Sequence, residues 1–132
     1  MAKRISFGVI ILIVLVIVIA VHSVRQPFMN ALPPSLSIST DMARSKRFGL
    51  ILDVRSARER EELGYYPNSI PVSLQQLSSE VPFLNSNRSI SIMVYSNGDS
   101  RAKMAAHALY EMGYHNVRYI TTSYLALMPG SK

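Results

Sequence analysis

A small α/β domain, with a parallel sheet and helices on both faces, is the fold class this sequence predicts. Three observations predict it. Short apolar runs recur at Leu50–Val54, Ile90–Tyr95 and Val117–Ile120, each the length of a strand. Helix-prone segments separate them, so parallel pairing through crossover helices follows. An uncharged stretch from Ile5 to Val21 stands apart and is too long for a strand.

That stretch sets the first expectation. Ile and Val fill it, and roughly 17–25 apolar residues are enough for a membrane-crossing helix. A transmembrane helix is therefore expected over residues 5–24, behind a short basic N-terminus at 1–4. A cleaved signal peptide is the rival, with Val21-His22-Ser23 as its weak cut site, but its apolar core is usually about 7–15 residues. Lys3 and Arg4 lie before the run and Arg25 behind it, which leans the downstream domain away from the cytosol. The expectation is thus a single-pass, N-terminally anchored membrane protein with the lipid bilayer as one partner.

The charge balance excludes other classes. The chain carries a formal +6, with 14 basic and 8 acidic residues. Lys3, Arg4 and Arg25 belong to the N-terminal stretch, and the remaining basic residues are scattered. Nucleic-acid binding needs a basic stripe with stacking aromatics, so none is expected. With no cysteine in 132 residues there is neither a disulfide nor a thiolate metal site. The histidines His22, His107 and His115 show no ligand spacing, so no metal and no cofactor is expected.

Along the chain, Pro27, Pro33 and Pro34 predict an extended linker over residues 25–37, with Phe28, Met29 and Leu32 available to a membrane interface. The folded part is expected over 38–128, leaving 129–132 as a tail. Ser39 or Thr40 caps a helix over Asp41–Arg47, and Asp41 suits its positive end. Arg58–Leu63 is helix-prone and stops at Gly64. Ser73 opens a helix over Leu74–Glu80 that Pro82 closes. Ser100–Met112 is the strongest helix, with Met104, Ala105, Ala108, Leu109 and Met112 on one face and Gly113 just past its end. Tyr124–Met128 forms a last turn.

Three segments in this order resemble the rhodanese-like domain family, over about Ile38 to Met128. Leu50-Ile51-Leu52-Asp53-Val54-Arg55 is similar to the family's apolar strand ending in Asp-Val-Arg. Gly64-Tyr65-Tyr66-Pro67-Asn68-Ser69-Ile70 is similar to its Gly-His-Ile-Pro-Gly-Ala-Ile turn. Ile90 to Gly113, followed by Tyr114-His115-Asn116-Val117, resembles the active-site strand, loop and helix. In active members a cysteine opens that loop and carries sulfur as a persulfide, and an arginine closes the cradle. The resemblance places Ser96 at the cysteine and Arg101 at the arginine. A helix N-terminus with inward backbone N–H groups is an anion site in its own right. Asn97, Gly98, Ser100 and Arg101 are therefore the candidate anion-binding residues.

The departures weigh against sulfur chemistry. Ser96 cannot form a persulfide, and a hydroxyl without a base is a poor nucleophile. Asp99 puts a carboxylate inside an expected anion cradle. Gly98 comes one place early, Tyr65 replaces the turn histidine, and Thr122-Ser123 and Leu127 replace the closing Gly-Gly…Trp. A triad of Ser96, His107 and Asp53 would need a fold-made meeting. Asp53 and Arg55 read as a structural pair, and Arg58–Glu62 as a solvated face. Asn87-Arg88-Ser89 is a glycosylation sequon that matters only in a secretory lumen.

The expected function is a catalytically inactive binding or scaffolding module. Its partner would be an unknown, membrane-associated protein, and a virion or organelle is one such membrane-lined assembly. The alternative is a thiol-independent anion sensor or enzyme using the loop amides and Arg101.

Overall fold

The structure, a computed structural model, describes residues 3–29 and 34–130. It divides into two units, residues 1–35 and 36–132.

The first unit holds helix α1, Phe7–Met29. Its apolar side chains run from Phe7 to Val21 and are exposed, and His22 and Ser23 close the run. Among the described residues no helix is long and apolar enough to cross a membrane. The membrane-anchor expectation, with the single-pass localisation built on it, is corrected accordingly. The physical reason is length. At about 1.5 Å per residue, the helical apolar run rises only about 22 Å, against a hydrocarbon core of about 30 Å. The helix begins at Phe7 rather than Ile5, so the apolar residues before it add no helical rise. The expected linker differs too, because α1 continues through Pro27 to Met29. Of the rest of that linker call, residues 30–33, including Leu32 and Pro33, lie outside the described residues, as do Ser131 and Lys132 of the tail, whereas Leu36 is buried in the core of the second unit and Ser37 bridges to Tyr119.

The second unit is the α/β domain. Its elements are α2 (Thr40–Ser45), β1 (Leu50–Asp53), α3 (Ala57–Leu63), β2 (Ile70–Pro71), α4 (Leu77–Leu84), β3 (Ile92–Ser96), α5 (Arg101–Glu111) and β4 (Val117–Ser123). Single 3-10 turns at Leu74–Gln76 and Tyr124–Leu127 complete it. The four strands are all parallel in the order β2-β1-β3-β4. Leu50 pairs with Ile92 and Leu52 with Val94 across the centre, and Ile92 then pairs with Val117. Each parallel step needs a crossover, and α3, α4 and α5 supply them.

Strand alternation builds two cores. Leu52, Val54, Ile92 and Val94 point to one face, with Leu77, Val81, Ala105 and Leu109 from the helices that cover it. Met93 and Tyr95 point to the other, with Ala43 of α2, Ile120, Tyr124 and Leu127. Side chains are thus buried on both sides of β3, every residue of which is buried. That explains why its sequence reads as a continuous apolar run rather than an alternating one.

Several element ends differ from expectation. The buried face of α5 is Ala102, Ala105, Ala106 and Leu109, while Met104 is 54% exposed. The face is turned because small alanines let the helix lie close to the sheet. Pro82 sits inside α4, which continues to Leu84 because Leu77 and Val81 anchor it. Strand β2 is only two residues and carried no periodic signal. Gly49 is required by close approach, since an added Cβ would lie 2.5 Å from Ile90 Cγ1.

Candidate functional site

Strand β3 ends at Ser96 and α5 begins at Arg101, so the loop 97–100 lies beyond the carboxyl end of a central parallel strand. Gly98 has φ +82, a left-handed conformation that glycine supplies at little cost. Ser100 precedes the first turn of α5 without a side-chain cap of its own. Asp99 does the capping instead, accepting from the backbone N–H of Arg101 at 3.0 Å.

The same carboxylate fills the loop. Ser96 Oγ donates to Asp99 Oδ1 at 2.9 Å, and Arg101 Nη2 donates to Asp99 Oδ2 at 2.7 Å. Ser96 itself is 1% exposed. Its hydroxyl is buried and committed to a carboxylate that is itself ion-paired with Arg101, with no histidine in the contact. Arg101 turns its other edge to Glu59 of α3, donating from Nη1 to Oε2 and from Nη2 to Oε1, both at 2.7 Å. Asn97 Nδ2 donates to Glu59 Oε1 at 2.9 Å. Glu59 is held in turn by a capping box with Ser56, the N-cap of α3.

These contacts set the protonation states. Hydrogen bonds from Arg101 and from the Ser56 backbone hold the Glu59 carboxyl far below the usual carboxylate range. Arg101 also brings the Asp99 carboxyl down to about 2, against a smaller opposing push from burial. The guanidinium of Arg101 is held more firmly protonated by Glu59 and then Asp99.

Beneath the loop lies a second charged layer. Arg55 Nε donates to Asp53 Oδ1 at 2.9 Å and its Nη2 to Oδ2 at 2.8 Å, with both side chains fully buried. Arg55 also reaches Asn97 Oδ1 at 3.1 Å and the carbonyl of Gly64 at 2.7 Å. Arg60 Nη1 donates to Asp53 Oδ2 at 3.0 Å and to Ser69 Oγ at 2.9 Å. The Tyr95 hydroxyl donates to Asp53 Oδ2 at 3.0 Å and accepts from the Tyr66 N–H at 3.1 Å. Burial pushes the Asp53 carboxyl up, but bonds from Arg55 and Tyr95 outweigh it and hold the group ionised. Burial also raises the Tyr95 phenol. Among the described residues no buried side-chain polar atom lacks a partner.

The structure therefore brings together Asn97 and Arg101 through Glu59, and joins them to Asp53 and Arg55 through the Arg55–Asn97 bond. Gly98 shapes the turn, and Ser100 packs near Met104 Sδ at 4.0 Å. The triad of Ser96, His107 and Asp53 does not form, because Ser96 donates to Asp99 and both oxygens of Asp53 are taken. Three carboxylates face three guanidiniums, so the loop has no surplus positive charge. Glu59, Arg60, Ser69 and Tyr95 were missed as site residues. The Ser56-x-x-Glu59 spacing was a legible capping signal, but nothing local connected Arg60 to Asp53.

Comparison with known proteins fits this geometry. The rhodanese-like domain family model matches residues 39–128, and the chain belongs to that family. The fold is similar to the human single-domain sulfurtransferase TSTD1, at 18% identity and TM-score 0.57, covering 76% of this chain and all of that one. It is similar to a single-domain sulfurtransferase of Saccharomyces cerevisiae, at 18% identity and TM-score 0.55, covering 74% of this chain and 91% of that one. A thiosulfate sulfurtransferase from Pseudomonas aeruginosa aligns at 22% identity and TM-score 0.58, over 68% of this chain and 18% of that one. No curated protein matches. The chain is thus a rhodanese-like domain without a cysteine.

Proposed function

We propose that this rhodanese-like domain does not transfer sulfur and acts as a protein-binding module. One observation carries the reading: the loop that would cradle an anion is filled by its own carboxylate. Asp99 takes the Ser96 hydroxyl, the Arg101 backbone N–H and the Arg101 guanidinium together. An incoming sulfate or thiosulfate would have to displace a tethered anion and share Arg101 with Glu59. A tethered group has a large advantage in effective concentration over a free one. Sulfur transfer would further need a nucleophile that becomes a persulfide, and a buried serine hydroxyl offers none.

The reading makes two demands of the purified full chain. Thiosulfate with cyanide should give no thiocyanate above a denatured control, and calorimetry with thiosulfate, sulfate or phosphate should show no binding heat. Cross-linking in the native source should then yield a stoichiometric protein partner. Turnover that disappears on Ser96→Ala would overturn the proposal, as would anion binding that Arg101→Ala abolishes.

A further inference from the structure

A cleft of about 430 Å³ opens beside the second core, between the end of α2 and the turn that leads into β2. It is separate in chemistry from the loop. Its floor is apolar: Met93 is buried, and Phe48, Ile51 and Tyr66 are partly buried members of the Met93–Tyr95 core. Its mouth carries the exposed Lys46, Arg47 and Asn68. No carboxylate lines it.

Five arginines of the domain are held in ion pairs. Arg44 pairs with Asp41, Arg55 and Arg60 with Asp53, Arg58 with Glu62, and Arg101 with Glu59 and Asp99. Among the described residues of the domain, Lys46 and Arg47 have no ion pair, as is true of Arg88, Lys103 and Arg118, but only Lys46 and Arg47 are adjacent in sequence and line this cleft. Asn68 stands at φ 63, where the similar family turn has glycine, so a side-chain amide is held at the rim in a conformation that asparagine tolerates. An apolar floor inside a charged rim is the anatomy of a protein-binding pocket, where one buried anchor supplies most of the affinity. The volume falls in the range of roughly 300–1,000 Å³ that ligand clefts occupy.

We propose that this cleft docks an acidic peptide segment of a partner protein, which inserts one apolar side chain over Met93 and sets carboxylates against Lys46 and Arg47. The inference rests on the binding-module reading and names the chemistry of its partner. The edge strand β2 is two residues long and contains Pro71, so docking proceeds through side chains rather than by strand addition.

The test is fluorescence anisotropy on the full chain, with a labelled acidic hexapeptide carrying one central Leu-Phe pair. A matched peptide with Gln and Asn in place of Glu and Asp is the control. The acidic peptide should bind saturably, and K46E/R47E should weaken it at least about tenfold. Raising salt to about 0.3 M should weaken it too, and Phe48→Ala should do so without altering the salt response. The idea is overturned by no saturable binding up to about 1 mM, or by equal affinity for the neutral peptide. Loss of binding matched by loss of stability in K46E/R47E would reduce the cations to helix-end partners. Self-association that vanishes in the same variant would assign the cleft to a second copy instead. Absence of peptide binding leaves the loop argument standing, whereas sulfur turnover removes the module reading and leaves the peptide result as measured.

Discussion

Restoring sulfur to the loop should not restore its chemistry. In Ser96→Cys the introduced thiol would sit where the hydroxyl now donates to Asp99 Oδ1 at 2.9 Å. A neutral thiol can keep that hydrogen bond, whereas a thiolate would face a carboxylate. Both effects raise the thiol pKa. Two unit charges about 4 Å apart repel by about 4 kcal/mol at surface-like screening. Arg101 sits on the same carboxylate and offsets most of this, so about 1.4 kcal/mol, or one unit, is a reasonable remainder. From an ordinary value near 8.5, the thiolate fraction at pH 7.5 then falls from about a tenth to about a hundredth. The assay is the pH profile of iodoacetamide alkylation, run beside thiosulfate–cyanide turnover. S96C should alkylate about tenfold more slowly than a free thiol, and S96C/D99S should recover most of that factor. A thiol pKa below about 8 with Asp99 intact, or brisk turnover by S96C alone, would refute the claim that Asp99 disarms the loop.

Two further outcomes follow from the charged layers. Arg55→Ala removes the bidentate partner of a fully buried carboxylate, so a loss of about 3–5 kcal/mol is expected in urea titration. Arg55→Lys should recover only part of it, because one ammonium cannot reproduce the fork to Asp53, Asn97 and Gly64. The second outcome concerns acid. The folded-state pKa of Asp99 is lowered from 3.8 to about 2, so its contribution is fully present above the unfolded value and is lost as pH falls through the folded one. Urea midpoints of wild type and Asp99→Asn should therefore differ at pH 5 and converge towards pH 2.

Much of the candidate site was legible because its chemistry is local. Asp53 and Arg55 are two residues apart at a strand end, and Ser96 to Arg101 is one strand–loop–helix junction. The carboxylate at position 99 announced that the cradle was compromised. What was not legible came from contacts between segments far apart in the chain. Glu59 meets Arg101 across 42 positions, and Arg60 reaches Asp53 only because α3 folds back over the strand it follows. On the expected face of α5 only Met104 was misplaced, with Ala102 and Ala106 buried in its stead, because Met104 and the alanines lie near one another in the 3.6-residue period and only packing against the sheet chooses between them.

By itself, the sequence determined the α/β class, the strand order of hydrophobicity and the absence of a sulfur nucleophile, because strand length, periodicity and residue identity are local properties. It did not determine how far an apolar run would be helical, and the membrane expectation failed on that rise. Tertiary structure alone decided that Arg101 is shared between Glu59 and Asp99, and that Lys46 and Arg47 stand over an apolar cleft. Hydrogen bonds and charge pairs depend on distance in space, and chain spacing fixes that distance only within a turn or a strand end.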